Sequence, residues 1–252
     1  MSTTSITRQE KAEFLRDGTI IRRGLVPPQL VSRARAMIDD WYQTGMEPER
    51  ISAYTERTFA PELGSDRDVL ALYHESGVGD LVAALIGETQ PIAKAQIQIR
   101  VPESSAAGNQ PAKAMHVDGV ACPHLDPAEL RTFTLLVGVV LSDVTDPIGG
   151  ALRYVQGGHL RMADWFRTEW SAGLTDQVPP HIDAEQGTPL LGTPGDVLVM
   201  HHLVPHAVGR NATSIPRIMA YFRVAHIRHD EQRLEALRDP WLEFAPLRSI
   251  TG

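Results

Sequence analysis

Three side chains that are far apart in the sequence could together hold one metal ion. His116 and Asp118 form a His-x-Asp tripeptide, and His206 lies well downstream, beyond the turn Gly195-Asp196. This is the order in which a double-stranded β-helix supplies two imidazoles and one carboxylate to a single metal. Such a facial triad leaves three coordination positions open and is the usual site of non-haem Fe(II). The sequence therefore predicts an iron site formed by His116, Asp118 and His206.

A second His-x-Asp tripeptide, His181-Ile182-Asp183, shows that the motif alone is weak evidence. The interval from Asp118 to His206 has room for four strands of about 5–6 residues each, whereas the interval from Asp183 to His206 is too short. Pro179-Pro180 also indicates a loop before His181. We therefore expect the first tripeptide to bind metal and the second to lie on the surface.

Three histidines compete for the distal ligand position, namely His201, His202 and His206. Arg217 opens the last long strand candidate after them, and its planar guanidinium suits the far carboxylate of a dicarboxylate such as 2-oxoglutarate. The position of Arg217 shortly after His206 favours His206 as the distal metal ligand. A single histidine is more often a surface or supporting group, and a single arginine more often joins a weak surface ion pair. The prediction therefore rests on all of these residues occurring together in this order, and not on any one of them.

Composition limits the classes of protein to be considered. The 252 residues carry 24 Lys and Arg against 31 Asp and Glu, with both signs interspersed. No basic surface for nucleic acid or anionic lipid is evident. The single cysteine, Cys122, excludes an internal disulfide and a multi-thiolate zinc site. With no signal peptide and no apolar run of ~20 residues, we expect a cytoplasmic protein without nucleic-acid or membrane partners. The sequence does not indicate its oligomeric state.

The elements that must position these side chains form a single predicted domain over residues 1–252. Caps and helical periodicity predict helices at about 8–17 and from Pro28 up to Gly45, within a helical N-terminal part at about 7–90. More helix is expected between Asp66 and Ile86, broken near Gly77-Val78-Gly79. A β-helix core is expected at about 92–226, with strand candidates at 95–101, 133–142, 151–155, 197–200, 206–210 and 217–225. The predicted fold class is mainly β with flanking helices, a double-stranded β-helix of the jelly-roll, cupin-like kind.

The strand at 95–101 is amphipathic. Its apolar residues alternate with amides and a guanidinium, so that one face carries Gln96, Gln98 and Arg100. This polar face could belong to a site or to the solvated side of an edge strand. The loop at 102–111 is long enough to act as a lid. A helical insertion at 160–171 carries Trp165 and Trp170, which are expected to be packing anchors.

The full pattern resembles the phytanoyl-CoA dioxygenase family of Fe(II)- and 2-oxoglutarate-dependent oxygenases. Four blocks between about residues 11 and 225 carry the resemblance. They are Phe14-Leu15-Arg16-Asp17-Gly18, His116-Val117-Asp118-Gly119, the glycine turn at 149–152 with Gly158-His159-Leu160, and the last block with Gly195-Asp196, His206, Asn211 and Arg217. Together these blocks are specific, although none is decisive alone.

The resemblance implies roles for individual residues. His116, Asp118 and His206 would bind Fe(II), and Arg217 would hold the C5 carboxylate of the cosubstrate 2-oxoglutarate, with O₂ as the second cosubstrate. Gln98 and, more weakly, Thr134 would contact the cosubstrate.

Some positions depart from the family pattern. His159 matches a family histidine that is not a ligand, but Gln156 and Gly158 stand where Pro and Ser are usual. Gly138 stands where many members carry a Trp beside the cosubstrate, so extra room is expected there.

The predicted function is hydroxylation, desaturation or oxidative ring closure of a small-molecule metabolite in natural-product biosynthesis. The lid and the insertion at 160–171 would line the mouth of the site, and the substrate itself is not indicated. A non-catalytic metal-binding β-helix protein is the alternative, and the spacing of Arg217 argues against it. A halogenase on the same scaffold is a further alternative, but it would need a small residue in place of Asp118.

Overall fold

The computed structural model describes residues 6–105, 110, 112–118, 131–171, 177 and 179–248. Within these residues the chain forms nine strands and eight α-helices. Gly119 and Cys122 lie outside the described residues, as does part of the predicted lid at 102–111.

The N-terminal part is helical, as predicted. Thr7 and Glu10 form the capping box of the first helix, and Gly18 ends it with a left-handed φ of 72°. The five helices are α1 (Arg8–Asp17), α2 (Pro28–Thr44), α3 (Ile51–Glu56), α4 (Arg67–His74) and α5 (Val78–Ile86). Short 3₁₀ turns occur at Pro48–Arg50, Leu63–Ser65 and Ala184–Gln186. Helix α3 was not predicted, because six residues are too few to show a helical period.

No single helix in the described ranges is long and apolar enough to cross a membrane. Helices α4 and α5 meet the criteria of length and composition only as a pair bent by 51°. The apolar side chains of both helices, including Leu72 and Leu81, are buried in the protein core.

The strands form two antiparallel sheets that face each other. The larger sheet has the order β1, β7, β4, β9, β2 and the smaller has β3, β8, β5, β6. The larger contains β1 (Thr19–Arg22), β2 (Gln96–Arg100), β4 (Leu135–Val140), β7 (Val197–His201) and β9 (Arg217–Val224). The smaller contains β3 (Lys113–His116), β5 (Leu152–Tyr154), β6 (Thr188–Pro189) and β8 (His206–Val208). This is the predicted double-stranded β-helix.

The side-chain alternation of the larger sheet separates two apolar cores. One face packs on the N-terminal helices through residues such as Val137, Val199 and Phe222. The opposite face meets the smaller sheet through residues such as Leu136 and Met219. Successive residues of a strand point to opposite faces, so every second position of β2, β4 and β9 faces the space between the sheets. The functional site lies in that space.

The interval between Asp118 and His206 contains four described strands, β4 to β7, in agreement with the argument from chain length. It also contains α6 (Gly158–Thr168), which matches the predicted insertion. The polar C-terminal tail, in which no element was predicted, forms α7 (His229–Arg238) and α8 (Ala245–Arg248). It contributes buried Phe244 and Leu247 to the core on the helical side of the larger sheet.

Candidate metal centre and cosubstrate site

The structure brings His116, Asp118 and His206 together at one end of the space between the sheets. One potential ligand atom from each of the three lies within 4.8 Å of the others. Asp118 Oδ1 is 3.4 Å from Nε2 of His116 and 3.8 Å from Nε2 of His206. His116 ends β3 opposite His206 at the start of β8, and Asp118 follows in the turn after β3. Among the described residues this is the one cluster of His, Cys, Asp or Glu suited to a metal ion.

The backbone orients both imidazoles for coordination through Nε2. Nδ1 of His116 lies 2.8 Å from the carbonyl oxygen of Ala114, and Nδ1 of His206 lies 3.1 Å from that of Val204. A ring whose Nδ1–H donates to a carbonyl presents the Nε2 lone pair to a metal. Burial, reinforced by the neighbouring His116, lowers the pKa of His206 to about 4. His206 is therefore neutral near pH 7, as a metal ligand must be.

The two carboxylate oxygens of Asp118 have different partners. Oδ1 faces the histidines, whereas Oδ2 lies 3.0 Å from Nη2 of Arg223. Burial opposes ionisation of Asp118, but His116, His206 and Arg223 together hold its pKa well below its usual range. The Arg223 guanidinium also lies over the Phe133 ring, 5.5 Å from its centroid. Asp118 is therefore a fixed carboxylate with one oxygen directed at the prospective metal position.

The histidines that were not chosen as ligands lie elsewhere. His201 is fully buried against Phe244, and its Nε2 lies 2.7 Å from the carbonyl oxygen of Pro240. His202 is buried too, and neither of its ring nitrogens has a hydrogen-bond partner among the described residues. His181 is exposed and its Nε2 lies 3.0 Å from Asp183. The second His-x-Asp pair is thus on the surface, as expected.

Arg217 lies inside the same cavity. Its Nε donates to the carbonyl oxygen of Gly150 at 2.9 Å, which fixes the plane of the guanidinium. Its Nη1 is buried and has no hydrogen-bond partner in the described part of the chain. A buried, unsatisfied guanidinium N–H is costly unless a ligand satisfies it. The carboxylate of a cosubstrate suits this position, because guanidinium and carboxylate form strong charge-assisted hydrogen bonds.

Gln98 and Thr134 have different positions. Gln98 lines the cavity on the polar face of β2, and its Nε2 donates to the carbonyl oxygen of Arg57 at 3.1 Å. Thr134 does not line the cavity. Its hydroxyl donates to buried Glu243 and accepts the N–H of His226, so its hydrogen-bonding capacity is used in packing the C-terminal segment.

The prediction of extra room beside Gly138 is wrong, because Tyr221 fills that space. Tyr221 lies directly opposite Gly138 in the pairing of β4 with β9. A Cβ at position 138 would lie 2.9 Å from Cε1 of Tyr221. Burial raises the pKa of the Tyr221 phenol, which therefore stays neutral beside Arg217. An aromatic ring that packs over a glycine on the neighbouring strand thus closes this side of the cavity.

The cavity joins the metal cluster to Arg217 and opens toward α3. Its lining combines charged, amide and apolar side chains, namely Glu56, Gln96, Gln98, Lys113, His116, Asp118, Leu136, Leu152, His206, Val208, Arg217, Tyr221 and Arg223. A cleft along Glu56, Arg57 and Thr58 continues outward from it. No described residue of α6 lines either space. Trp165 and Trp170 are buried in an apolar cluster, as expected of packing anchors. Contrary to the prediction, the described residues of the insertion do not line the mouth.

Three comparisons with known proteins bear on this site. The family model for phytanoyl-CoA dioxygenase matches residues 14–219. The chain belongs to the phytanoyl-CoA dioxygenase family. This membership confirms the enzyme class, a 2-oxoglutarate-dependent non-haem iron oxygenase, and the predicted use of Fe(II), 2-oxoglutarate and O₂. Among curated proteins, none matches the chain in sequence.

Solved structures share the fold at low sequence identity. EctD from S. alaskensis, solved with 2-oxoglutarate and 5-hydroxyectoine, is 19% identical with a TM-score of 0.62, covering 89% of this chain and 78% of EctD. HygX from Streptomyces hygroscopicus, solved with nickel and 2-oxoglutarate, is 15% identical with a TM-score of 0.55, covering 88% and 87%. SnoK, a carbocyclase from nogalamycin biosynthesis, is 15% identical with a TM-score of 0.57, covering 92% of both chains.

Proposed function

We propose that His116, Asp118 and His206 bind Fe(II), that Arg217 binds the C5 carboxylate of 2-oxoglutarate, and that the enzyme oxidises a C–H bond of a small-molecule metabolite. One observation carries this proposal. A cluster of two imidazole Nε2 atoms and one carboxylate oxygen shares a cavity with a buried guanidinium whose Nη1 has no partner in the described chain. A cosubstrate with a chelating end and a distant carboxylate matches both features.

The residues of this chain have distinct tasks in such a reaction. Iron with 2-oxoglutarate and O₂ supplies the oxidising power for removing hydrogen from an unactivated carbon. Arg217 fixes the far end of the cosubstrate. The ring of Tyr221, which packs over Gly138, closes the cavity beside that end. Leu136, Leu152 and Val208 give the cavity an apolar side, which limits water where a reactive species must meet only the substrate.

The substrate class is inferred from the cavity and from the structural relatives. The cavity combines charged and amide side chains with the apolar side chains of Leu136, Leu152 and Val208, as expected for a small-metabolite site. EctD was solved with 5-hydroxyectoine, and SnoK is a carbocyclase from nogalamycin biosynthesis. These relatives support a natural-product or other small-metabolite substrate, with hydroxylation, desaturation or ring closure as the outcome. Asp118 argues against a halogenase, because its Oδ1 faces the position that a halide would need.

A titration of 2-oxoglutarate tests the cosubstrate assignment. Removing a buried charged contact costs on the order of 2–5 kcal/mol, so Arg217→Ala should raise the dissociation constant of 2-oxoglutarate roughly 30-fold or more. The dissociation constant for Arg217→Lys should lie between those of Arg217→Ala and the wild type, because lysine keeps the charge and loses the planar fork. Calorimetry on the Ni(II)-loaded proteins would measure these constants. Unchanged binding in Arg217→Ala would refute the assignment.

A further inference from the structure

Lys113 lies in the cavity with His116 because strand β3 is irregular. The two residues are three positions apart, so in a regular strand their side chains would point to opposite faces. A register shift between them, in the pairing of β3 with β8, lets both side chains line the cavity. Bulges beside active sites re-aim side chains in this way. The irregularity therefore brings an ammonium group to the metal-binding end of the cavity.

The Lys113 ammonium group has no counter-ion of its own among the residues that the structure describes. No hydrogen bond or ion pair from the described parts of the chain reaches it. Burial lowers the pKa of Lys113, and the positive charge of nearby Arg100 lowers it further, while the carboxylate of Asp118 opposes both effects. That carboxylate is already engaged by Arg223 and by the two histidines. A half-buried cation in this position is unfavourable unless a ligand pairs with it.

The charges of the proposed ligands do not neutralise Lys113. The two positive charges of Fe(II) balance the two negative charges of 2-oxoglutarate, and Arg217 is assigned to the C5 carboxylate. Asp118 has Arg223 as its cationic partner at 3.0 Å. The cavity lining then carries three cations, Lys113, Arg217 and Arg223, against the two carboxylates of Asp118 and Glu56, although the protein as a whole carries a net charge of −7. The lining of the cavity therefore has an excess of positive charge that one more negative group would neutralise.

We propose that Lys113 anchors a second anion-binding position, which takes a carboxylate or phosphate oxygen. This inference rests on the proposed function, since the position lies in the cavity that is proposed to hold Fe(II) and 2-oxoglutarate. The same chemistry has two sources, namely the cosubstrate carboxylate next to its keto group and an acidic group carried by the substrate. Both would meet Lys113 at the metal end of the cavity.

Two titrations on the Ni(II)-loaded full-length protein distinguish these sources. The first measures 2-oxoglutarate binding, and the second measures binding of inorganic phosphate to protein saturated with 2-oxoglutarate. Lys113→Met should raise the dissociation constant of one of these anions about 10- to 100-fold, the effect of losing a charge-assisted hydrogen bond. Lys113→Arg should restore most of that binding. Lys94→Met is the matched control, because Lys94 lies at the outer cleft, outside the metal-binding cavity, and should change both constants less than about threefold.

Each outcome has a definite meaning. Weakened 2-oxoglutarate binding assigns the anion to the cosubstrate, whereas weakened phosphate binding alone assigns it to the substrate. Lys113→Met should melt at or above the wild-type temperature, because it removes a half-buried charge that has no ion-pair partner in the described parts of the chain. A folded Lys113→Met protein with both constants unchanged would overturn the proposal. Phosphate binding that depends on Lys113 in a protein that binds no 2-oxoglutarate would uphold the anion position and refute the proposed function.

Discussion

Individual residues of this site work in pairs, and Asp118 with Arg223 is the clearest case. Arg223 holds Oδ2 of Asp118 at 3.0 Å and is itself packed over Phe133. This arrangement leaves Oδ1 for a metal and prevents the carboxylate from rotating. Partners that orient a metal ligand typically contribute a factor of about 10–100 to metal affinity. Arg223 is therefore expected to act as a positioning residue for the iron ligand.

Substituting Arg223 by Gln should weaken Fe(II) binding about 10- to 100-fold and should change the dissociation constant of 2-oxoglutarate for the metal-loaded protein much less. Arg223→Lys should recover part of the metal affinity, since it can still reach toward the carboxylate. Anaerobic metal titration would provide these constants. Arg57→Gln is the control, because Arg57 lines the outer cleft but has no contact with Asp118. Equal metal affinity in Arg223→Gln and Arg57→Gln would contradict the positioning role.

Some residues of the site could be predicted from the sequence, and others could not. The triad and Arg217 followed from residue type, order and spacing. Tyr221 and Arg223 could have been found by counting in twos from Arg217 along β9, because alternate residues of a strand share a face. Lys113 could not have been found in this way, because the register shift in β3 breaks the alternation. The hydrogen bond of Thr134 to Glu243 could not be expected from the sequence, because the two residues lie far apart in the chain.

At the scale of elements, the pairing of β4 with β9 shapes the cosubstrate end of the cavity. Gly138 permits the Tyr221 ring to lie across β4, and a Cβ there would also come within 3.1 Å of Cε of Met219. Gly138→Ala should lower the free energy of unfolding by about 1–3 kcal/mol through overpacking. It should also weaken 2-oxoglutarate binding, because Tyr221 must shift beside Arg217.

Denaturant unfolding and the 2-oxoglutarate titration would check both effects of Gly138→Ala. Gly209→Ala is the matched control, since a Cβ at Gly209 meets nothing within 4 Å, and its effect should stay within about 0.5 kcal/mol. Equal stability of the two variants would show that Tyr221 does not depend on Gly138.

The elements themselves were predicted where their signals are local. The capping box of α1, the proline at the start of α2 and the alternation of β2 each lie within a few residues, and all three elements formed as expected. Helix α7 was missed, because its stabilising contacts are distant. Its first residue, His229, forms a buried hydrogen bond with Glu243, with 2.8 Å between Nδ1 and Oε1. Such a pair replaces the apolar stripe that would identify a packed helix in the sequence.

Considered as a whole, the molecule buries several histidines in their neutral form. Burial lowers the pKa of His159 to about 4 and that of His202 to about 3, and it holds the pKa of His201 well below its usual range. In the unfolded chain these groups titrate near pH 6.5. As the pH falls below about 6.5, the unfolded state binds protons that the native state does not, so stability decreases. The loss ends once the pH passes below the native pKa values.

Metal-free protein should therefore lose stability steadily between about pH 6.5 and pH 4. His202→Leu should reduce the slope by up to about 1.4 kcal/mol per pH unit, the effect of one proton. It should not cost much stability at pH 7, because neither ring nitrogen of His202 has a described hydrogen-bond partner to lose. Urea unfolding at several pH values would measure the slopes. The same slope for wild type and His202→Leu would show that His202 does not stay neutral in the native state.

The central claim, that His116, Asp118 and His206 form the iron site, is tested most directly by anaerobic Fe(II)-binding stoichiometry in wild type and in two single variants. Wild type and His181→Ala should each bind one Fe(II) per chain, because His181 is exposed and pairs only with Asp183 among the described residues. His206→Ala should lose tight binding, because it removes one of the three ligand atoms. Retained iron in folded His206→Ala, or loss of iron in His181→Ala, would contradict the assignment of the metal centre.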